Sequence, residues 1–310
     1  MFLFMNQVGI IGLGHVGATT ALLMAQRGHI GHLVLVDKNE AKVKSEQVDL
    51  QDQIALLGTD TTVSVQDYNH EQWEQLRNLD VLVYCAGDIK LLREHKGNRD
   101  FELQMTSQVV KEIAPKIKNS GFQGVIVTIT NPCDVIARLL QEYLDYPTNK
   151  ILGTGTGLET ARMHHAVAET LHCNYHDVTG YVFGEHGDTM FPVWSSVQVA
   201  GQPITKFDLD LPKLTKKIVE GGYVIYAGKQ YTNNGIATRA NLDVEAVLSD
   251  AQRALPVSAY DEHEQLYIGQ LAVIGRHGVE KTVPLELNDA EKAAYHNSIQ
   301  AIENNYQRVQ

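Results

Sequence analysis

Gly12-Leu13-Gly14-His15-Val16-Gly17 follows an apolar run that starts at Val8 and opens a segment with apolar residues at helical spacing, 15–26. A G-x-G-x-x-G turn between a strand and a helix carries meaning because each glycine then has a task. Gly12 permits the tight turn, Gly14 lets a pyrophosphate approach the backbone, and Gly17 lets helix and strand pack closely. His15 and Val16 fall at the helix start, where free N–H groups attract phosphate. Asp37 stands twenty residues beyond Gly17, at the end of the next apolar run. A carboxylate there accepts hydrogen bonds from the adenosine ribose hydroxyls and repels a 2'-phosphate, which favours NAD over NADP. Lys38 beside it weakens that exclusion. Three glycines alone would be a bare turn; strand, helix and acid together predict a dinucleotide seat.

Outward from this turn, short β-branched runs at 8–13, 33–36, 81–85 and 125–130 alternate with helical segments at 15–26, 40–57, 101–119 and 135–142, with a short strand at 63–65. The alternation predicts the α/β class: a Rossmann-type doubly wound parallel sheet with helices on both faces. Near Pro147 the pattern turns to mixed helix and antiparallel strand, an α+β substrate and catalytic domain. The expected division is a cofactor domain over 1–146 and a substrate domain over 147–310. The stretch 289–308, with Ala293, Ile299 and Ile302 at helical spacing, reads as a surface helix packed on one face.

The 310 residues are long enough for two lobes. The net charge of -11, with no basic run longer than Lys216-Lys217, argues against nucleic acid or anionic membrane as partner. Cys85, Cys133 and Cys173 are odd in number and lack paired spacing, so neither a disulfide framework nor a zinc knuckle is expected, and a reducing cytoplasm fits best. Met1-Phe2-Leu3-Phe4 lacks a basic leader region and reads as a short appendage, with Met5 as an alternative start. His164, His165 and His172 have no converging Cys or Asp set, and no metal site is expected.

The proton chemistry is expected at Gly184-Glu185-His186-Gly187-Asp188, which follows the apolar run 178–183. An imidazole changes charge near neutral pH and can both give and take a proton. Glu159 and Arg162, three apart on a helical segment, share one face. The arginine fork suits a carboxylate ligand, and a buried Glu159 near His186 can fix its tautomer and stabilise its charged form. The charged segment from Asp88 to Asn98 suits a lid that brings Arg99 toward a polarised carbonyl oxygen. Asn131, in Thr130-Asn131-Pro132-Cys133-Asp134, lies where ligands of open α/β sheets collect, although Asn-Pro with Asp134 in the first helical turn is also an ordinary strand-to-helix connection.

Together these motifs, with Ala86-Gly87 and Leu158-x-x-x-Arg162, resemble the lactate/malate dehydrogenase family from Gln7 onward. Within it, the runs Gly87 to Leu91, Gly121 to Gly124 and Gly153 to Thr156 look most like the L-2-hydroxyisocaproate dehydrogenases, which reduce branched-chain 2-oxo acids. The resemblance implies an NAD-dependent L-2-hydroxy acid dehydrogenase in which His186 is the acid/base, Arg162 binds the substrate carboxylate and Arg99 polarises the carbonyl. Ala86, Gly87 and Ile129 would line the cofactor seat, Asn131 would serve both cofactor and substrate, and Thr232 would line the substrate pocket. It also implies a homotetramer or dimer. The alternatives are L-lactate dehydrogenase, malate dehydrogenase, and an inactive NAD-binding regulatory protein.

Four departures bear on these expectations. The family usually has Asp where this chain has Glu159, so the pairing with His186 must be rebuilt locally. The lid is longer than in typical lactate dehydrogenases: alignment from its two ends puts either Lys90 or Arg93 at the specificity position, while Leu91 and Leu92 offer apolar surface to a branched side chain. Asn234 stands where lactate enzymes commonly carry tryptophan, which enlarges the cavity. Finally, the sugar-bisphosphate-activated relatives carry an arginine two residues beyond Arg162 and a histidine seven before His186, where this chain has His164 and Thr179. No activation by fructose 1,6-bisphosphate is expected.

Overall fold

The computed structural model describes residues 6–87 and 99–310. The N-terminal appendage and the lid residues Lys90, Leu91, Leu92 and Arg93 lie outside them. Strand β1 (Gln7–Ile11) is flanked in parallel by β2 (His32–Val36) and β4 (Val81–Tyr84). Further parallel pairings add β3 (Thr62–Val65) on one side, and β5 (Val125–Thr128) and β6 (Ile151–Gly153) on the other. The resulting order, β3-β2-β1-β4-β5-β6, reverses direction beside β1. That reversal opens a crevice at the carboxyl ends of the strands where ligands of such sheets bind.

Every residue of β4 and β5 is buried, as strands covered on both faces must be. One face carries α1 (His15–Arg27), α2 (Glu40–Leu57) and α7 (Asn234–Leu248), whose Met24, Val43, Ile54, Ile236 and Val244 share a core with Val8, Ile10 and Val83. The other face carries α3 (Arg99–Ser120), α4 (Cys133–Leu144) and α8 (Asp289–Gln307), through Leu103, Ile113, Ile136, Leu140 and Ile302. Both helical layers therefore pack on the same sheet.

The second half extends the sheet of the first and adds two small sheets of its own. Strand β12 (Arg253–Asp261) pairs antiparallel with β6 through Ser258 and Gly153, and β13 (Leu266–Gly275) and β14 (Gly278–Thr282) extend the same sheet to nine strands. Helices α5 (Gly157–Leu171) and α6 (Leu211–Lys229) then pack around a smaller core of Met163, Val167, Val182, Leu214 and Ile218.

The apolar run 178–183 divides at Gly180, whose φ of +116° suits only glycine. Its first part, β7 (Val178–Thr179), pairs with β10 (Gln198–Val199), and its second, β8 (Val182–Phe183), pairs with β9 (Phe191–Pro192). The end of β8 thus delivers Gly184 to His186 against β13, with Gly184 and Gly269 exchanging backbone hydrogen bonds at 2.9 and 3.0 Å. Among the described residues, no helix is long and apolar enough to cross a membrane.

Candidate active site

Helix α1 starts at His15 with Gly14 as its N-cap and without a side-chain cap, so its first N–H groups are a seat for an anion. A Cβ on Gly14 would meet nothing within 4 Å, which leaves a clear approach to the turn. Gly12 adopts φ +92°, and a Cβ on Gly17 would stand 1.9 Å from the Gly12 carbonyl oxygen, so only glycine allows helix and strand to close. The Asp37 carboxylate accepts the Leu13 N–H at 2.7 Å on one oxygen and the Asn39 N–H at 2.8 Å on the other. Each oxygen keeps a further lone pair for a ribose hydroxyl. This donor and acceptor set fits NAD.

The other edge of the crevice comes from the ends of β4 and β5. Ile129 donates its N–H to the Tyr84 carbonyl at 2.8 Å, and the Thr130 hydroxyl donates to the Ala86 carbonyl at 2.9 Å, so the two strand ends are tied together. Gly87 is exposed beyond them. At Asn131 a cis peptide bond to Pro132 turns the chain into α4. Between α6 and α7, the Tyr231 ring stacks on His15 with centroids 3.6 Å apart, and the Asn233 amide donates to the Thr19 hydroxyl at 2.9 Å. The partly buried Thr232 is therefore held directly over the cofactor helix. Tyr231 was not anticipated from the sequence, where nothing in Tyr-Thr-Asn announces a stack.

Glu159 occupies the first turn of α5 and is 1% exposed. One of its oxygens accepts from Arg162 Nη1 at 2.8 Å, and the other lies 3.4 Å from His186 Nδ1. The second contact is an ion pair by distance, but the atoms are not aligned as a hydrogen bond. The longer side chain thus does reach both partners, at the expense of the bond that would fix the imidazole most firmly. Arg162 lies against Gly221 and Gly222 of α6, where Cβ atoms would come within 3.3 and 3.5 Å of its side chain. Paired glycines make room for the guanidinium.

Burial by itself lowers the His186 pKa and raises that of Glu159, because each loses hydration of its charged form. Their mutual attraction outweighs burial at both sites. His186 ends above its ordinary value, with Asp134 adding to and Arg162 opposing the effect of Glu159; Glu159 ends below its own. The pair thus favours a protonated imidazole beside an ionised carboxylate. Nδ1 faces Glu159, which leaves Nε2 as the nitrogen able to exchange a proton with a ligand.

Asp134 also reaches this loop. One of its oxygens accepts the His186 backbone N–H at 2.8 Å and the other accepts the Ser258 hydroxyl. The sequence placed Asp134 in the first turn of a helix, which is correct, but gave no sign of its partners, which lie 52 and 124 residues away. Arg99, the first residue of α3, stands apart from this cluster in its contacts: its guanidinium is 68% exposed and pairs with Glu102 at 2.7 Å. His164 donates its Nε2–H to the Gly180 carbonyl at 2.9 Å and is a packed histidine of α5.

Residues 6–153 match the model of the lactate/malate dehydrogenase NAD binding domain, and residues 156–310 match that of the lactate/malate dehydrogenase alpha/beta C-terminal domain. The chain belongs to the lactate/malate dehydrogenase family. It is an NAD-dependent oxidoreductase with the Rossmann-type fold expected from its glycine-rich turn. An L-lactate dehydrogenase of Fusobacterium nucleatum is 31% identical over 303 residues, covering 94% of this chain and 92% of that protein. Among solved structures, the minor L-lactate dehydrogenase of Enterococcus mundtii, in a ligand-bound form, superimposes with a TM-score of 0.90 at 29% identity over 98% of both chains. The malate dehydrogenase of Salinibacter ruber superimposes with a TM-score of 0.88 at 26% identity, over 98% of this chain and 97% of that one. Lactate and malate enzymes therefore share this backbone, and side chains in the pocket must separate their substrates. None of these relatives points to the hydroxyisocaproate enzymes in particular.

Proposed function

We propose that this protein is an L-lactate dehydrogenase, interconverting a small 2-oxo acid and its L-2-hydroxy acid. The observation that carries the reading is the buried Glu159 carboxylate joining a guanidinium to an imidazole, since this sets a carboxylate anchor beside a proton donor. Arg162 holds the substrate carboxylate by its planar fork. Arg99 is drawn from Glu102 to the keto oxygen, where its charge opposes the developing negative charge. NADH, when bound, supplies the hydride that the keto carbon receives. His186 gives the Nε2 proton to the oxygen, and Glu159 stabilises the imidazolium before that transfer; in the reverse direction His186 takes the proton back. Asn131 and Thr232 complete the pocket wall, and Gly12, Gly14, His15, Val16, Gly17, Asp37, Ala86, Gly87 and Ile129 hold the cofactor.

The names of the relatives support pyruvate and lactate better than a branched-chain pair. A second reading, L-2-hydroxyisocaproate dehydrogenase, keeps one specific support: Asn234, at the start of α7, is small and exposed, leaving more room at that wall. The proposal includes a cofactor part over 1–146, a substrate part over 147–310, a cytoplasmic location and assembly as a homotetramer or dimer. Loss of NADH absorbance with pyruvate, 2-oxoisocaproate, phenylpyruvate and oxaloacetate tests it. Pyruvate is expected to give the highest kcat/KM. Preference for 2-oxoisocaproate selects the second reading, and no turnover with any of the four contradicts both.

A further inference from the structure

Asp134 is 2% exposed and sits in the first turn of α4, where a carboxylate commonly serves the helix it begins. Here the carboxylate serves other segments. The N-cap, Pro132, provides no side-chain cap for α4, while both Asp134 oxygens are engaged outside the helix, one by the His186 backbone N–H and one by the Ser258 hydroxyl of β12. A single buried carboxylate thus ties the proton-transfer loop to the sheet at the antiparallel junction between β6 and β12.

We propose that Asp134 is a positioning residue for His186, fixing the loop through its backbone and placing a second negative charge beneath the imidazole. This rests on the role proposed for His186 above. Glu159 lies 3.4 Å from Nδ1 without hydrogen-bond alignment, so its hold on the ring is largely electrostatic, and the backbone anchor supplies the placement that the side-chain contact lacks. Asp134 raises the imidazole's proton affinity together with Glu159, and Arg162 opposes both. Around Asp134 the charged or titratable groups are His186, Glu185, Cys133 and Tyr295. Burial pushes its carboxyl up to about 6, although Ser258 and the His186 N–H draw it down. Above that pH the charge is present and acts on His186; below it the charge fades.

The test is an NMR titration of the full-length protein carrying 13C-labelled histidine, with the His186 signal assigned by its disappearance in His186→Gln. Asp134→Asn keeps the size and one acceptor for the His186 N–H, presents an amide donor that the Ser258 hydroxyl can accept in place of the second acceptor, and removes the charge; it is expected to lower the His186 titration midpoint by about one pH unit. Ser258→Ala removes the hydroxyl that stabilises the Asp134 anion, so its proton is retained to higher pH and the His186 midpoint falls by a smaller amount. The descending limb of kcat/KM for 2-oxo acid reduction is expected to move with the midpoint. If Asp134→Asn does not fold, Ser258→Ala decides the matter alone. A lower melting temperature with an unmoved midpoint would mark Asp134 as a structural clasp only and overturn the proposal. Absence of 2-oxo acid reduction by the unaltered protein contradicts the function proposed above, while the titration still reports on Asp134 separately.

Discussion

Replacing Glu159 by Gln removes the charge that joins His186 to Arg162 and leaves the size of the side chain almost unchanged. At the observed 3.4 Å, an effective dielectric of about 20 gives a Coulomb attraction of about 5 kcal/mol between imidazolium and carboxylate. Each pH unit of proton affinity corresponds to about 1.4 kcal/mol, so roughly 3.5 units is the upper limit for the loss at His186. The imidazole is one-fifth exposed and retains Asp134, and we expect a fall of about 2 units after this screening. In the direction of 2-oxo acid reduction the protonated form is the active one. Glu159 extends that form to higher pH, so the descending limb of the kcat/KM profile moves to lower pH in the variant. At neutral pH the rate falls on the order of 10 to 100-fold and recovers partly as the medium is acidified. Folding gives an independent reading. Because the Glu159 carboxyl is held below its ordinary value, its contribution to stability is complete above that value and lost as pH falls through the lowered one; the variant lacks this dependence. Steady-state NADH oxidation from pH 5 to 9, with melting curves across the acid range, supplies both measurements. An unmoved limb together with near-normal turnover would refute the reasoning.

Gly17→Ala places a Cβ 1.9 Å from the Gly12 carbonyl, an overlap that only displacement of α1 relieves. Nucleotide fluorescence titration is expected to show loss of NADH binding, with a melting temperature lower by several degrees; unchanged values for both would contradict the assigned packing. Arg162→Ala removes a charge-assisted anchor worth about 3 kcal/mol, so KM for the 2-oxo acid rises about 100-fold while the NADH dissociation constant stays nearly the same. Equal losses in both would show that the arginine supports the fold instead. Fructose 1,6-bisphosphate is expected to leave half-saturation by pyruvate unchanged, since His164 is committed to the Gly180 carbonyl and Thr179 offers no cation. A large fall in half-saturation would overturn that expectation.

The cofactor half was legible because its signals are local. A strand, three spaced glycines and an acid at the end of the next strand fall within 30 consecutive positions, 8–37, and the close approach of Gly17 to the Gly12 carbonyl lies inside that unit. Glu159 and Arg162 were legible as a pair for the same reason, being three residues apart on one helix. Where contacts span distant segments, the sequence carries little. It did not reveal that β12 adds antiparallel to β6, and hence could not bring Ser258 to Asp134. Tyr231 on His15 is likewise a contact across 216 positions with no spacing to announce it. The run 178–183 looked continuous because apolar character is shared by two strands of different sheets, and only the backbone of Gly180 separates them.

The most direct test of the account is His186→Ala, measured for NADH affinity and single-turnover reduction of pyruvate in the same preparation. NADH affinity is expected to remain close to that of the unaltered protein, because the anion seat at α1 and the Asp37 acceptor are built without the imidazole. The reduction step is expected to slow by about 10² to 10⁴-fold, the usual contribution of a positioned proton donor. Reduction at a near-normal rate, with the cofactor bound as before, would contradict the assignment of His186 as the acid.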